Sequence, residues 1–346
     1  MREEAPANFH AKESTYKTVA AVYVAKYNVP KPLTVSIDET NALFVNRATK
    51  QRVKKGAKRV RVIGVGQEKS QITVTLGANE ETGELLPTQY IFGGKTTRCH
   101  PKDPPTRDGD YFAHTESHWQ TPETFKEYLD KVVMPYKEAT IRRLRLPVDQ
   151  KMIIKLDLHY SHKDKEVLAL MKQMNILPLF VPAGCTDIMQ DCDTVINKPF
   201  KNAMKAEFRD HLHRDFDKFC RENPQKRPSE WAPNLNLGGL KPLMVSFVEA
   251  GLRALETPEM KATIIKAFAE DGRFREIRRE EMQSAARMEL LAERMAELIF
   301  VPDDVEENRE DEEQALAVDI DAPSDSDNDD DSDDDDDLQI VENEED

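Results

Sequence analysis

The chain has 346 residues, of which 33% are charged, and its formal net charge is −16. The acidic residues are concentrated in residues 303–346, which hold 24 of them against one basic residue, so residues 1–302 carry +7. The four cysteines fall in no CxxC pair, so the sequence indicates neither a zinc ribbon nor a disulfide framework. With no signal peptide and no apolar run near roughly eighteen residues, the sequence predicts a soluble intracellular protein that does not enter a membrane.

Composition divides the chain into four segments. Residues 1–11 are predicted to be disordered, residues 12–270 to form the folded domain, and residues 271–302 to form a charged helical extension. Residues 303–346 are predicted to be a disordered acidic tail, because they contain too few apolar residues to offset the entropy lost on folding. The basic balance of residues 1–302 suits a polyanionic partner.

The domain begins with a predicted helix, Glu13–Tyr27, and a predicted strand over residues 33–38, where apolar and polar residues alternate up to Asp38. Residues 46–61 then contain eight basic and no acidic residues. This run is either a solvated loop with a strand edge or a surface that contacts phosphates. In the second case, the contacting side chains are those of Lys54, Lys55, Lys58 and Arg59.

Three extended segments follow. VRVIG and QITVTLG predict two antiparallel strands, and LLPTQYIFGG predicts a further one. Residues 99–118 are polar and rich in proline, and we expect an irregular excursion there. His114 and His118 are four residues apart, but no third ligand is near them in the sequence, so metal binding is the minor alternative. A helix is predicted to begin at Thr121 and to reach about Glu138, with Phe125, Leu129 and Val132/Val133 packed on the sheet.

The segment 151–200 predicts a strand, a helix and a second strand. MIIKL is a buried strand that ends at Asp157, and the apolar run from Ile176 to Val181 is its parallel neighbour. Asp157 therefore lies at the carboxyl end of a buried strand, where open α/β sheets place their sites. Asp193 follows 36 residues later, immediately before a long helix. One apolar face of that helix is formed by Phe200, Met204, Phe208, Leu212 and Phe216.

Three ordered motifs carry a family resemblance. VSIDETNALFV contains Asp38, DLHYSH contains Asp157 and His162, and PAGCTDIMQDCD contains Gln190 and Asp193, with NKPFK after it. Together they resemble the DDE superfamily endonuclease domain of pogo-like transposases in the mariner superfamily, over about residues 12–270. The resemblance implies an α/β fold with a ribonuclease H-like mixed sheet flanked by helices, followed here by C-terminal helices and the acidic tail.

The same resemblance implies a two-metal site that cleaves DNA phosphodiesters. Asp38 would bridge two Mg²⁺ (or Mn²⁺) ions, and Asp157 and Asp193 would each hold one. His162 would support these ligands or contact DNA, and Gln190 would be a further supporting group. Asp187 and Asp191 compete for the third position, and Asp193 is preferred because it follows Gln190 by three residues. The carboxylates repel one another when metal is scarce. Asp157→Asn is therefore expected to raise the thermal stability under that condition.

Two functions remain open. The first is metal-dependent DNA cleavage and strand transfer, and the second is an inactive, domesticated module that binds nucleic acid or protein. The short segment before Asp38 has no room for the usual paired helix-turn-helix modules, and the family's usual residues are replaced at Leu158 and Asp191. Asp191 adds a carboxylate that would repel DNA or disturb the metals.

The partners expected are DNA and, by the resemblance, a second copy of the chain, in the nucleus. In the tail, residues 338–341 (LQIV) lie between acidic runs. They are either a chance apolar interruption or a strand-forming motif that binds SUMO. The tail is also expected to attract basic protein surfaces and to compete with DNA for the basic body of this chain.

Overall fold

The computed structural model describes residues 8–43, 71–102, 104–185 and 189–270. These ranges lie within the compact unit Glu4–Ile299. The predicted strand VRVIG, the basic residues Lys54, Lys55, Lys58 and Arg59, the extension 271–302 and the tail 303–346 lie outside the described residues.

The described residues form six strands in one mixed sheet. The strands are β1 (Thr34–Leu43), β2 (Gln71–Asn79), β3 (Gln89–Gly93), β4 (Tyr111–Thr115), β5 (Met152–Leu156) and β6 (Ile176–Phe180). Their order in space is β4-β3-β2-β1-β5-β6. β2 is antiparallel to both β1 and β3, whereas β5 is parallel to β1 and to β6. Three antiparallel strands followed by a parallel crossover confirm the predicted ribonuclease H-like sheet.

Helices cover both faces of this sheet. They are α1 (Phe9–Tyr27), α2 (Pro122–Tyr128), α3 (Met134–Leu144), α4 (Tyr160–Lys163), α5 (Lys165–Gln173), α6 (Asn197–Glu222), α7 (Leu237–Leu255) and α8 (Pro258–Glu270). A π-helical turn, Leu129–Val133, joins α2 to α3, and a second one, Cys192–Ile196, leads into α6. None of the helices in the described ranges combines the length and the apolar composition of a membrane span.

Two apolar cores result. The first packs α1, α2, α3 and α5 on the sheet and contains Phe125, Leu129, Val132 and Val133, as predicted. The second packs α6–α8 and contains the predicted Phe200, Met204 and Phe208. The helices α6 and α7 approach closely because Gly251 has no side chain, and a Cβ there would lie 2.5 Å from Phe200 Cδ2. This contact fixes the helix that follows Asp193 against the rest of the domain.

The structure corrects two sequence boundaries and confirms a third. The first helix begins at Phe9 rather than Glu13, so residues 9–11 are helical and not disordered. Strand β1 extends past Asp38 to Leu43, because β2 pairs along its whole length as far as Gln71. The helix start at Thr121 is confirmed by a capping box with Thr124.

The segment 99–118 is not irregular throughout, because it contains β4. This strand pairs in parallel with β3 over five positions, from Gln89↔Tyr111 to Gly93↔Thr115. Stacking of Tyr90 on Phe112, with ring centroids 5.0 Å apart, adds cross-strand packing that the surrounding polar and proline residues conceal in the sequence. His114 therefore lies on a strand and does not share a helical face with His118.

Candidate metal centre

The backbones of the first two motif aspartates lie side by side where β5 ends. The parallel register between β1 and β5 closes at Ser36↔Lys155. Asp38 lies two residues further along β1, and Asp157 lies two residues further along the chain that leaves β5. Neighbouring strands in a sheet are about 4.8 Å apart, so the two backbones run side by side at this point. The placement of Asp157 beyond a buried parallel strand confirms the sequence prediction.

The third motif is tied to Asp38 by two hydrogen bonds. Gln190 Nε2 donates to Asp38 Oδ1 over 2.9 Å, and Asn197 Nδ2 donates to Asp38 Oδ2 over 2.8 Å. Asp193 lies between these two amides in the sequence, as the second residue of the turn Cys192–Ile196. Its backbone is therefore held beside Asp38, but its side chain is outside the described part of the chain. Metal coordination by Asp193 stays a prediction.

Glu39, Asp157 and His162 form a second set of polar groups, on the other face of β1. Consecutive strand residues point to opposite faces, so Glu39 faces α2 and α4 while Asp38 faces α6. One ligand atom from each of the three residues lies within 4.8 Å of the others. His162 Nδ1 lies 2.7 Å from Asp157 Oδ1, and His162 Nε2 lies 3.3 Å from Glu39 Oε1. Gln120 Nε2 also donates to Glu39 Oε1, over 3.0 Å.

The surroundings of His162 favour the positively charged form of its imidazole. Burial by itself lowers the pKa of His162, but the charges of Glu39 and Asp157 and the hydrogen bonds to them outweigh burial and hold the pKa well above its usual range. Burial likewise opposes ionisation of Asp157, yet the hydrogen bond and charge of His162, together with His159, lower the pKa of Asp157 to about 2. Asp157 is therefore an ionised carboxylate at neutral pH.

This arrangement bears on two sequence expectations. His162 has no exposed surface, so its ring does not contact DNA in this conformation, and the alternative of a supporting group fits. The positive charge of the ring also balances the charge of Asp157, so attraction to His162 outweighs repulsion from neighbouring carboxylates. The expected direction of the Asp157→Asn effect is accordingly reversed, as developed in the Discussion.

Asp191 does not point into the site as an extra free charge. Its Oδ2 lies 2.5 Å from Lys155 Nζ, and the two side chains are 2% and 0% exposed. The Lys155 ammonium also lies over the ring of Phe268, 5.4 Å from its centroid. The prediction that Asp191 would repel DNA or disturb the metals is therefore wrong, because Lys155 neutralises its charge in a buried ion pair.

The donor set fits a hard divalent cation. Glu39 and Asp157 supply carboxylate oxygens on one face of β1 and Asp38 supplies them on the other, and these are the ligands that Mg²⁺ and Mn²⁺ prefer. Gln190 adds a further oxygen, because its buried Oε1 has no hydrogen-bond partner among the described residues. A buried amide oxygen beside a carboxylate is a natural place for a cation or its water.

Sequence reasoning missed three residues that organise this centre. Glu39 and Asn197 both lie within the motifs given above. The alternation of side chains along a strand was the signal that places Glu39 and Asp38 on opposite faces. Lys155 had a weaker signal, as a single charge within the buried strand MIIKL. The supporting position predicted for Gln190 agrees with its hydrogen bond to Asp38.

Comparison with known proteins identifies relatives of this region. Residues 69–228 match the family model described as DDE superfamily endonuclease. A human protein, Pogo transposable element with ZNF domain, is 24% identical over 193 residues, which are 56% of this chain. Those residues are 13% of the human protein, so the chain spans only a small part of that relative's length.

Similar solved structures come from the Mos1 mariner transposase. Its paired end complex with Mn gives a TM-score of 0.38 at 13% identity, covering 79% of this chain and 65% of that chain. The catalytic domain of the same transposase gives a TM-score of 0.32 at 14% identity, covering 79% of this chain and 98% of that chain. At these TM-scores, neither structure bears on the function of this chain.

Proposed function

Residues 69–228 belong to the DDE superfamily endonuclease family, and on that premise we propose that this protein is a metal-dependent DNA endonuclease of the transposase type. One observation supports the proposal: the second and third motifs both adjoin the first. Strand pairing places the backbones of Asp38 and Asp157 side by side, and Gln190 and Asn197, which flank Asp193 in the sequence, donate to the Asp38 carboxylate.

Asp38, Asp157 and Asp193 would hold two Mg²⁺ or Mn²⁺ ions. When bound, such a pair lowers the pKa of a water nucleophile and neutralises the leaving oxygen of a phosphodiester. The other residues position these ligands. Gln190 and Asn197 fix the plane of the Asp38 carboxylate. His162 fixes the Asp157 carboxylate through its hydrogen bond to Oδ1.

A second function is favoured by one feature of the same site. Both oxygens of Asp38 accept amide hydrogens, and Asp157 Oδ1 accepts from His162, so the protein itself satisfies part of each carboxylate. This arrangement suits an inactive module that keeps the fold and binds nucleic acid or protein. Each carboxylate nevertheless has about four acceptor positions, so capacity for a metal remains.

Nicking of supercoiled DNA by the full chain separates the two functions. We expect Mg²⁺- or Mn²⁺-dependent nicking by the unmodified protein, reduced about a hundredfold or more by Asp38→Asn or Asp157→Asn, since metal stabilisation of the transition state is worth several kcal/mol. Asp210→Asn, an exposed position on α6, is the matched control and should keep full activity. Nicking that persists in both site variants would exclude this site as the source, and no nicking with either metal would leave the inactive module.

DNA binding is proposed to rest on phosphate contacts by the basic run. Replacing Lys54, Lys55, Lys58 and Arg59 together by Ala should weaken binding and flatten the dependence of log K on log salt by about 3–4 units, because each phosphate contact contributes roughly 0.9. The control variant replaces Lys165 and Lys172, which are exposed on α5. An unchanged slope in the fourfold variant would assign the run to an ordinary solvated loop.

The remaining expectations are proposals of the same kind. A DNA endonuclease of this family would act in the nucleus, and assembly on two DNA ends would favour a homodimer. The acidic tail would bind SUMO through residues 338–341 or associate with basic protein surfaces.

A further inference from the structure

Three metal-ligating side chains meet at the opposite edge of the sheet from β6. Cys99 ends the 3-10 turn Thr97–Cys99, His100 follows it, and His114 lies on the edge strand β4. One ligand atom from each lies within 4.8 Å of the others. His118, the sequence neighbour considered for His114, contacts Gln71 and Thr73 instead.

The orientation of the imidazoles suits coordination. His100 Nε2 lies 3.1 Å from the carbonyl oxygen of Ala113, so this nitrogen donates its hydrogen to the backbone and the lone pair is on Nδ1. Histidines that bind metals commonly donate their other ring nitrogen to a carbonyl in this way, which fixes the tautomer and the ring plane. The rings of His100 and His114 meet edge to face, with centroids 5.1 Å apart.

The thiol of Cys99 is held in place by the backbone of Gly94. Gly94 has φ of +153°, and a Cβ there would lie 2.6 Å from Cys99 Cβ and 3.0 Å from Cys99 Sγ. Any larger residue would push the thiol away from the two histidines. Gly94 N also donates to the carbonyl oxygen of Thr115 over 2.8 Å, so the same backbone links the thiol to the end of β4.

We propose that Cys99, His100 and His114 bind one Zn²⁺ ion, with water in the fourth position. A thiolate with two imidazoles is a donor set for a borderline-soft divalent ion and not for Mg²⁺, which selects oxygen. The site is therefore chemically distinct from the carboxylates of Asp38 and Asp157. The ion would join the start of the crossover after β3 to the edge strand β4, which has a partner on one side only among the described strands.

Cobalt substitution in the full chain tests the site directly. Co²⁺ bound by a thiolate gives a ligand-to-metal charge-transfer absorption that oxygen or nitrogen ligands alone do not produce. We expect this absorption in the unmodified protein at one equivalent, its displacement by Zn²⁺, and its loss in Cys99→Ser. Cys220→Ser, which changes the partly exposed cysteine on α6, is the matched control and should keep the absorption.

Zinc affinity, measured by competition with a chromophoric chelator, gives the second readout. Cys99→Ser and His114→Asn should each weaken Zn²⁺ binding at least a hundredfold, whereas Cys220→Ser should leave it unchanged. If Cys99→Ser does not fold, His114→Asn and the spectrum of the unmodified protein still decide the matter. Stoichiometric Co²⁺ binding without the thiolate absorption, or Zn²⁺ affinity equal in His114→Asn and the unmodified protein, would overturn the proposal.

Discussion

Replacing Lys155 by Met is expected to lower the free energy of unfolding by about 3–5 kcal/mol, which corresponds to a fall in Tm of roughly 10 °C. The ammonium lies 2.5 Å from Asp191 Oδ2, and both side chains are almost completely buried. Without Lys155, the carboxylate of Asp191 loses its ion-pair partner in an interior where desolvation is costly. Urea or thermal denaturation of the full chain measures the change.

The double variant Lys155→Met/Asp191→Leu is the control, because it removes both charges and fills their space with apolar atoms. Such replacements of buried pairs are often neutral, so we expect most of the stability to return. A single variant as stable as the unmodified protein would show that the ion pair contributes little. A double variant no more stable than the single one would show that packing, and not charge, causes the loss.

Replacing Asp157 by Asn is expected to destabilise the metal-free protein by about 2 kcal/mol at pH 7, because a pKa lowered from 3.8 to about 2 represents that much preferential stabilisation of the ionised carboxyl. The folded-state pKa of Asp157 lies below its unfolded value. Its contribution is therefore fully present above about pH 4 and is lost as the pH falls through about 2.

Denaturation in the presence of a chelator, at a series of pH values, measures this effect. The stability difference between the unmodified protein and Asp157→Asn should shrink as the solution is acidified from pH 4 towards pH 2. Asp210→Asn, on the exposed face of α6, should show no such trend. A more stable Asp157→Asn protein would restore the expectation of repulsion among carboxylates and contradict the role assigned to His162.

Most strands of the sheet were predictable because each carries its own pattern. MIIKL and the run from Ile176 to Val181 are apolar and short, and the helix between them leaves only a parallel crossover. Strand β4 was not predictable, because its stability comes from pairing with β3 and from the stacking of Tyr90 on Phe112. Those partners lie about twenty residues apart in the sequence, so no local pattern reports them.

The candidate site was likewise predictable only in part. Asp38 and Asp157 were found because each lies within a motif, at the predicted end of a recognisable buried strand. The charge balance around them was not found, because it depends on His162 lying between Asp157 and Glu39 and on Lys155 reaching Asp191. The number of acidic residues in the motifs predicted repulsion among carboxylates. In the folded chain these carboxylates are paired with His162 and Lys155 instead.

Mn²⁺ binding to the full chain, followed by the electron paramagnetic resonance signal of the free ion, tests the proposed metal centre most directly. The acidic tail is expected to bind Mn²⁺ weakly in every variant, so the difference between variants is the readout. We predict a tight class of sites in the unmodified protein and in Asp210→Asn, weakened at least tenfold by Asp38→Asn and by Asp157→Asn, since each would remove a ligand. Superimposable titrations for the unmodified protein, Asp38→Asn and Asp157→Asn would contradict a metal centre at these carboxylates.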